Sequence, residues 1–95
     1  MSSKYLSSLG KSEYEALTTK LLNIQNQTCF ICCKKIDPIF QPTNIDHIVP
    51  LANKGTDAES KFAVTHESCN KSKQDADLTI ARILYALKRT SGATT

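Results

Sequence analysis

The sequence predicts a small α+β domain, in which two short strands and a following helix are flanked by a helix at each end. Three observations support this fold class. Two apolar, strand-like runs, Ile45 to Val49 and Phe62 to Thr65, enclose a polar turn around Gly55. Apolar residues recur at helical spacing before and after these runs. Cysteine and histidine residues occur in close pairs beside both runs.

The size of the chain predicts a single domain. With 95 residues, of which 40% are hydrophobic and 6% aromatic, the chain can form only a thin aliphatic core. A metal ion or another cross-link is therefore expected to contribute to its stability. We predict a flexible N-terminal tail over residues 1–11, one domain over residues 12–90, and a disordered tail or truncation point at residues 91–95.

Two amphipathic helices are predicted outside the strands. Ser12 and Glu15 have the spacing of a capping box, so the first helix should begin at Ser12 and end near Gln25. Its apolar stripe consists of Tyr14, Leu17, Leu21 and Ile24. Asp77 can cap the last helix, whose predicted buried face consists of Ile80, Ile83, Leu84 and Leu87.

The segments between these helices are predicted to be short. Thr28 to Lys35 should form a tight turn that carries cysteines, and the residues before Pro38 and Pro42 should be irregular, because a residue before proline avoids the helical region. A further short helix is predicted to begin at Glu67, directly after the second strand.

Two pairs of metal-binding residues predict a structural zinc site. Structural zinc takes four thiolate or imidazole ligands, usually as two close pairs from separate segments. Cys29 and Cys32 form one such pair, and His66 and Cys69 form the other. Cys33 is an alternative to Cys32, and this choice stays open at the level of sequence. A lone cysteine is more often a small buried apolar residue, but two pairs beside one hairpin favour metal binding.

A second group of polar residues predicts hydrolytic chemistry. Asp46 and His47 are adjacent in the first strand, and Asn70 and Lys73 share one face of the following helix. Carboxylate and amide oxygens suit a hard divalent cation, and a histidine can take a proton from an attacking water molecule. Lys73 and Lys71 can contact phosphates. This combination indicates metal-assisted cleavage of a nucleic-acid phosphodiester.

The stretch IDHIVPLANKG followed by THESCNKSK resembles the motif of HNH endonucleases. The resemblance extends from Cys29 to Lys73. Over this range the sequence is similar to HNH nucleases of phages and bacterial restriction systems. It implies a ββα-metal fold with a zinc knuckle and a role in restriction or defence. It also implies that His47 is the general base and that Asp46 and Asn70 bind the catalytic Mg²⁺ or Mn²⁺. The implied zinc ligands are Cys29, Cys32, His66 and Cys69.

One position departs from the family pattern. The family usually has a middle asparagine at the head of the second strand, where this chain has Lys61. That asparagine braces the loop that carries the histidine, and a lysine cannot accept a hydrogen bond as an asparagine does. Asn70, in place of a final histidine, is a common variant of the family. The departure therefore concerns the efficiency of catalysis rather than the metal site.

The resemblance implies DNA as the partner, with RNA as an alternative. The net charge of +3 is compatible with nucleic acid but does not require it. The N-terminus has no secretory pattern and the chain has no run of apolar residues long enough for a membrane span, which predicts a cytoplasmic protein without a membrane partner.

A domain of this size has little surface for reading bases. We therefore expect non-specific cleavage, or targeting by a domain or subunit outside this chain. Two alternatives are a zinc-stabilised nucleic-acid-binding module whose catalysis has lapsed, and a zinc-organised protein-interaction domain. The protein-interaction domain would leave Asp46, His47 and Asn70 without a role.

Overall fold

The computed structural model describes residues 4–48, 61–73 and 76–94, with side chains as far as Lys88. The elements are four helices and two strands, which confirms the predicted α+β class. In chain order they are α1 (Lys4–Ser8), α2 (Lys11–Ile24), β1 (Thr43–His47), β2 (Phe62–His66), α3 (Glu67–Lys73) and α4 (Leu78–Thr94). No helix within the described ranges combines the length and the hydropathy needed to cross a lipid bilayer.

The two strands form an antiparallel hairpin. Asp46 is paired with Ala63 and His47 with Phe62, and the N–H of Ile48 donates to the carbonyl of Lys61 at 2.8 Å. β1 begins two residues earlier than predicted, at Thr43, and β2 continues one residue further than predicted, to His66. The predicted strand residue Val49 and the turn around Gly55 lie outside the described residues.

The hairpin packs between the helices. Along β1, Ile45 and His47 are buried while Asn44 and Asp46 are partly exposed, as the period of two along a strand requires. On β2, four consecutive residues are buried, so this strand is covered on both faces. The buried apolar residues of the core are Leu17, Leu21, Leu22, Cys29, Ile31, Cys32, Ile36, Ile45, Phe62, Ala63, Val64, Leu78 and Ala81.

Gln25 connects the end of α2 to β2. Its side-chain oxygen accepts the N–H of Val64 at 2.7 Å, and its amide nitrogen donates to the Val64 carbonyl at 2.9 Å and to the Thr28 carbonyl at 2.8 Å. One side chain therefore satisfies two backbone groups of a fully buried residue. It holds the cysteine-bearing turn that begins at Thr28 against the hairpin.

The predicted start and stripe of α2 need correction. The helix begins at Lys11 rather than Ser12, and the N–H of Gly10 donates to the Glu13 carboxylate at 2.9 Å, so the expected Ser12–Glu15 capping box is not formed. Leu17 and Leu21 are buried as predicted, but Ile24 is 69% exposed. Leu22 takes its place in the core. The reason is local: Asn26 and Gln27 adopt positive φ angles, so the chain reverses just after Ile24.

The predicted buried face of α4 is wrong. Ile80, Ile83, Leu84 and Leu87 are 48–60% exposed, whereas Leu78 and Ala81 are buried and Tyr85 packs against the core. The orientation is set at the start of the helix, where Asp77 caps it as predicted and the N–H of Leu78 donates to the Ile48 carbonyl. Arg82 lies 5.2 Å from the centre of the Phe30 ring and fixes the helix to the cysteine-bearing turn.

Both ends of the chain contain helix where the sequence predicts tails. In the segment 1–11, α1 places Tyr5 and Leu6 against the core, with the Tyr5 ring 5.8 Å from that of Phe62, and Leu9, just after the helix, packs there as well. At the other end, α4 continues through Thr94. The domain limits of residues 12–90 stay a prediction.

We expect Gln25→Ala to destabilise the zinc-loaded protein by about 1–3 kcal/mol, because it leaves the buried N–H and carbonyl of Val64 without these partners. Urea unfolding followed by circular dichroism measures the change. Asn23→Ala is the control, since this exposed residue on the same helix should change the free energy of unfolding by less than about 0.5 kcal/mol. Equal effects of the two substitutions would contradict the role given to Gln25.

Candidate metal centre and active site

Four side chains from two separate segments meet beside the hairpin. The ligand atoms of Cys29, Cys32, His66 and Cys69 all lie within 4.8 Å of one another. His66 Nδ1 is 3.4 Å from the sulfur of Cys32 and 3.9 Å from that of Cys69. A tetrahedron with zinc–sulfur bonds near 2.3 Å has ligand–ligand edges of about 3.5–3.8 Å. The set therefore has the donor chemistry and the size of a structural zinc site.

His66 is oriented for metal binding through Nδ1. Its other ring nitrogen, Nε2, lies 3.2 Å from the carbonyl oxygen of Lys35. A carbonyl oxygen only accepts hydrogen bonds, so Nε2 carries the proton in this contact and Nδ1 keeps its lone pair directed towards the sulfurs. Metal-binding histidines are commonly held in this way by a hydrogen bond from the second nitrogen.

The thiols perturb one another. Burial and the nearby Cys29 and Cys32 raise the pKa of Cys69 to about 12. Burial also raises the pKa of Cys32, with a further contribution from Cys29. Burial alone would raise the pKa of Cys29, but N–H groups of Cys32, His66 and Ile31 donate to its sulfur and outweigh this, so its pKa is lowered. Thiolates in such a cluster repel one another, and the positive charge of a bound cation would stabilise them.

Cys33 lies outside this cluster. Its side chain is exposed. Its N–H donates to the carbonyl of Cys29, and its backbone has a positive φ of 63°. Among the described residues, the cluster that the structure brings together contains Cys32 and excludes Cys33. Of the two alternatives that the sequence left open, the geometry favours Cys32.

Asp46 is the centre of a second group of contacts. Its Oδ2 accepts hydrogen bonds from the Lys73 ammonium at 3.0 Å and from the Asn70 amide nitrogen at 3.3 Å. Its Oδ1 accepts the N–H of His47 at 2.8 Å. Asn70 and Lys73 are three residues apart on α3, so the helix presents both to the strand. The structure thus brings together the four residues that the sequence singled out.

The Asp46 carboxyl is ionised at neutral pH. Partial burial alone would raise its pKa, but Lys73, the N–H of His47 and Asn70 together outweigh that effect. The pKa of Asp46 therefore lies below its ordinary value. An ionised carboxylate next to an amide is a donor set that hard divalent cations bind.

His47 lies on the inner face of the hairpin. Its ring is 5% exposed and packs edge-on against Phe62, with the ring centres 4.9 Å apart. Neighbouring strand residues point to opposite faces, yet His47 Nδ1 is only 3.8 Å from Asp46 Oδ1. The Asp46 carboxylate lies near the imidazole because its Oδ1 accepts a hydrogen bond from the backbone N–H of His47.

Lys71, which the sequence predicts to contact phosphate, and Lys61, which replaces the usual asparagine, have different surroundings. Lys71 is 73% exposed and pairs with Glu67 at 3.0 Å along the surface of α3. Lys61 is exposed as well, and its described contribution to the hairpin is its carbonyl oxygen, which accepts the N–H of Ile48.

Phe62 is a site residue that the sequence did not reveal. It contacts the ring of His47 because the two residues are partners in the strand register. The alternation of apolar residues shows that Phe62 is buried but does not show which residue it faces. Only a known register, which depends on the connection between the strands, could have identified it.

Comparison with known proteins gives one family. The sequence profile of HNH endonucleases matches residues 29–76, slightly more than half of the chain. The matched range contains the Cys/His cluster and also Asp46, His47, Asn70 and Lys73. No significant match to a curated protein or to a solved structure is found.

We expect the affinity of the protein for zinc to rise with pH between about 6 and 8, because the thiols of Cys32 and Cys69 are protonated there and must lose their protons to bind metal. Titration calorimetry of zinc in buffers of different ionisation enthalpy should show the release of about two protons or more per zinc. An affinity independent of pH would contradict this.

Two substitutions test the membership of the cluster. Cys69→Ser should lose zinc and most of its helical circular dichroism, since structural zinc contributes roughly 10–16 kcal/mol in small domains. Cys33→Ser is the matched control and should retain one zinc per chain, because this residue lies outside the cluster. Loss of zinc from Cys33→Ser would show that the ligand set is different.

Proposed function

Since this chain belongs to the HNH endonuclease family, we propose that it is a nuclease that hydrolyses phosphodiester bonds of DNA with a divalent cation. The observation that carries the proposal is the contact of Asp46 with Asn70 and Lys73 beside His47. Strand β1 supplies a carboxylate and an imidazole to this group, and α3 supplies an amide and an ammonium group. The zinc cluster alone would not distinguish a nuclease from a binding domain.

We assign the structural zinc to Cys29, Cys32, His66 and Cys69. Its role in this proposal is positional. Cys69 immediately precedes Asn70 on α3, so a metal bound to Cys69 fixes the helix that presents Asn70 and Lys73 to the strand.

Asp46 and Asn70 would hold the catalytic cation, Mg²⁺ or Mn²⁺. The low pKa of Asp46 keeps its carboxylate ionised, and the Asn70 amide is in hydrogen-bond contact with it. A cation held there supplies Lewis-acid stabilisation of the negative charge that develops on the phosphate and on the leaving oxygen.

His47 would act as the general base. In this role it accepts the proton of the water that attacks the phosphorus. The ring is oriented by Phe62 on one side and by the Asp46 carboxylate on the other. Because only 5% of the residue is exposed, the water must approach the small accessible part of the ring, which restricts the direction of attack.

Basic residues support nucleic acid as the substrate. Lys73 lies at the site itself, and Lys71 lies on the exposed surface of the same helix. Contacts of this kind bind the phosphate backbone without reading sequence. We propose DNA as the substrate and RNA as the alternative, with specificity supplied by a domain or subunit outside this chain. A cytoplasmic role in restriction or defence rests on the resemblance alone.

A second candidate function is a zinc-stabilised nucleic-acid-binding module without catalysis. Two observations favour it: Lys61 replaces the usual asparagine, and the Lys73 ammonium contacts the carboxylate that the metal requires. This module would bind DNA and zinc but would leave a supercoiled plasmid intact.

We expect the protein to nick supercoiled plasmid in the presence of Mg²⁺ or Mn²⁺, and His47→Ala to lower the rate by about 10²–10⁴-fold, the usual contribution of a general base. Agarose gels measure the nicked circles. Zinc content and circular dichroism are the controls for folding, and His47→Gln repeats the test with a side chain closer in size. Nicking at the wild-type rate by both variants would refute His47 as the base, and an inactive wild type would favour the binding module.

A further inference from the structure

We propose that Lys73 competes with the catalytic cation for Asp46, and that metal binding releases its ammonium group to a phosphate of the DNA. Lys73 would then couple metal loading to substrate binding. This inference rests on the proposed function, because it takes Asp46 as a ligand of the cation.

The first observation is the crowding of Asp46. Both carboxylate oxygens already accept hydrogen bonds, and two of the three donors, the Lys73 ammonium and the Asn70 amide nitrogen, converge on Oδ2. A hard cation binds an oxygen through the lone pairs that these donors use. A cation at Oδ2 must therefore displace the ammonium, since two positive groups repel each other at such short range. Asn70 must also rotate its amide to present oxygen instead of nitrogen.

The second observation is the burial of Lys73. Its side chain is 9% exposed, whereas that of its partner Asp46 is 34% exposed. Lys71, two residues away on the same helix, is 73% exposed and forms an ordinary surface pair with Glu67. A largely buried ammonium is stabilised by an anionic partner, so Lys73 leaves Asp46 more readily when another anion is available. A phosphate of the substrate would be such a partner.

The third observation is the space beside Lys73. A cavity of about 310 Å³ lies between α3 and α4, and Lys73 forms part of its wall together with Ser72, Tyr85 and Lys88. A side chain with four methylene groups can withdraw from Asp46 into such a space without moving the backbone. Lys88 adds a second positive charge to this wall, which also includes the apolar side chains of Ile31, Ala81 and Leu84.

These observations define a charge exchange. Without a catalytic cation, Asp46 and Lys73 form an ion pair and neutralise each other. When a divalent cation binds Asp46, the Lys73 ammonium is released and can pair with a phosphate. Coupling of this kind is reciprocal: if the cation strengthens binding of DNA, DNA strengthens binding of the cation by the same factor. The coupling would favour a bound cation when substrate is present.

The direct test measures Mn²⁺ binding without DNA, by titration calorimetry on the zinc-loaded protein. In Lys73→Met, which keeps the length of the side chain but removes the charge, we expect Mn²⁺ to bind about 5- to 150-fold more tightly, the usual range of coupling between sites. Lys73→Arg keeps the charge and should bind Mn²⁺ about as weakly as the wild type. Lys11→Met, at an exposed lysine at the start of α2, is the control and should leave Mn²⁺ affinity unchanged.

A second measurement tests the coupling. In a His47→Gln background, which suppresses cleavage, Mn²⁺ should strengthen binding of a short DNA duplex more when Lys73 is present than in Lys73→Met, where only the contact of the cation itself with the phosphate remains. The slope of log affinity against log salt concentration, measured with Mn²⁺, should also fall by about one unit in Lys73→Met, because one phosphate contact is lost.

Each outcome separates this inference from the proposed function. Unchanged or weaker Mn²⁺ binding by Lys73→Met overturns the competition, even if the wild-type protein nicks plasmid. Tighter Mn²⁺ binding by Lys73→Met, with an effect of Mn²⁺ on DNA binding as large as in the protein that keeps Lys73, overturns the transfer of Lys73 to a phosphate. A failure of Mn²⁺ to bind wild type or Lys73→Met, together with an inactive wild type, overturns both proposals.

Discussion

The structure depends on the junction between β2 and α3, where the Cys/His cluster forms. No residue separates the strand from the helix, and none of the seven residues of α3 belongs to the buried apolar core. A helix this short is not stable by itself and has little packing to hold it. Its position is therefore set by Cys69 in the cluster and by the contacts of Asn70 and Lys73 with Asp46. The Cys/His cluster and the group of contacts around Asp46 therefore both depend on this short helix.

Local chemistry explains what could be predicted from the sequence. The ligand pairs lie at fixed short spacings, and the hairpin runs, the start of α3 and the Asp77 cap all follow from neighbouring residues. The family pattern covers the same stretch, and the profile match confirms that recognition. The prediction that Asp46, His47 and Asn70 meet came from this pattern, because strand alternation alone places Asp46 and His47 on opposite faces.

Tertiary packing explains what could not be predicted. Helix α4 has apolar residues around most of its surface, so its pattern does not show which side faces the core, and the choice follows from Leu78, Ala81 and the contact of Arg82 with Phe30. The pairing of Phe62 with His47 requires the register. The ion pair between Lys73 and Asp46 joins residues far apart in sequence, and a lysine on a helix is usually solvated.

The contacts of Gln25 with Val64 have a consequence for association between chains. In a sheet of two strands, each strand has an outer edge whose backbone groups could pair with another molecule. Along β2, the Val64 N–H and carbonyl are taken by Gln25, and the carbonyl also accepts the N–H of Phe30. Along β1, the N–H of Ile45 donates to the Tyr14 hydroxyl. The middle of each edge is thus occupied by groups of the same chain, which protects the hairpin against strand exchange and amyloid-like growth.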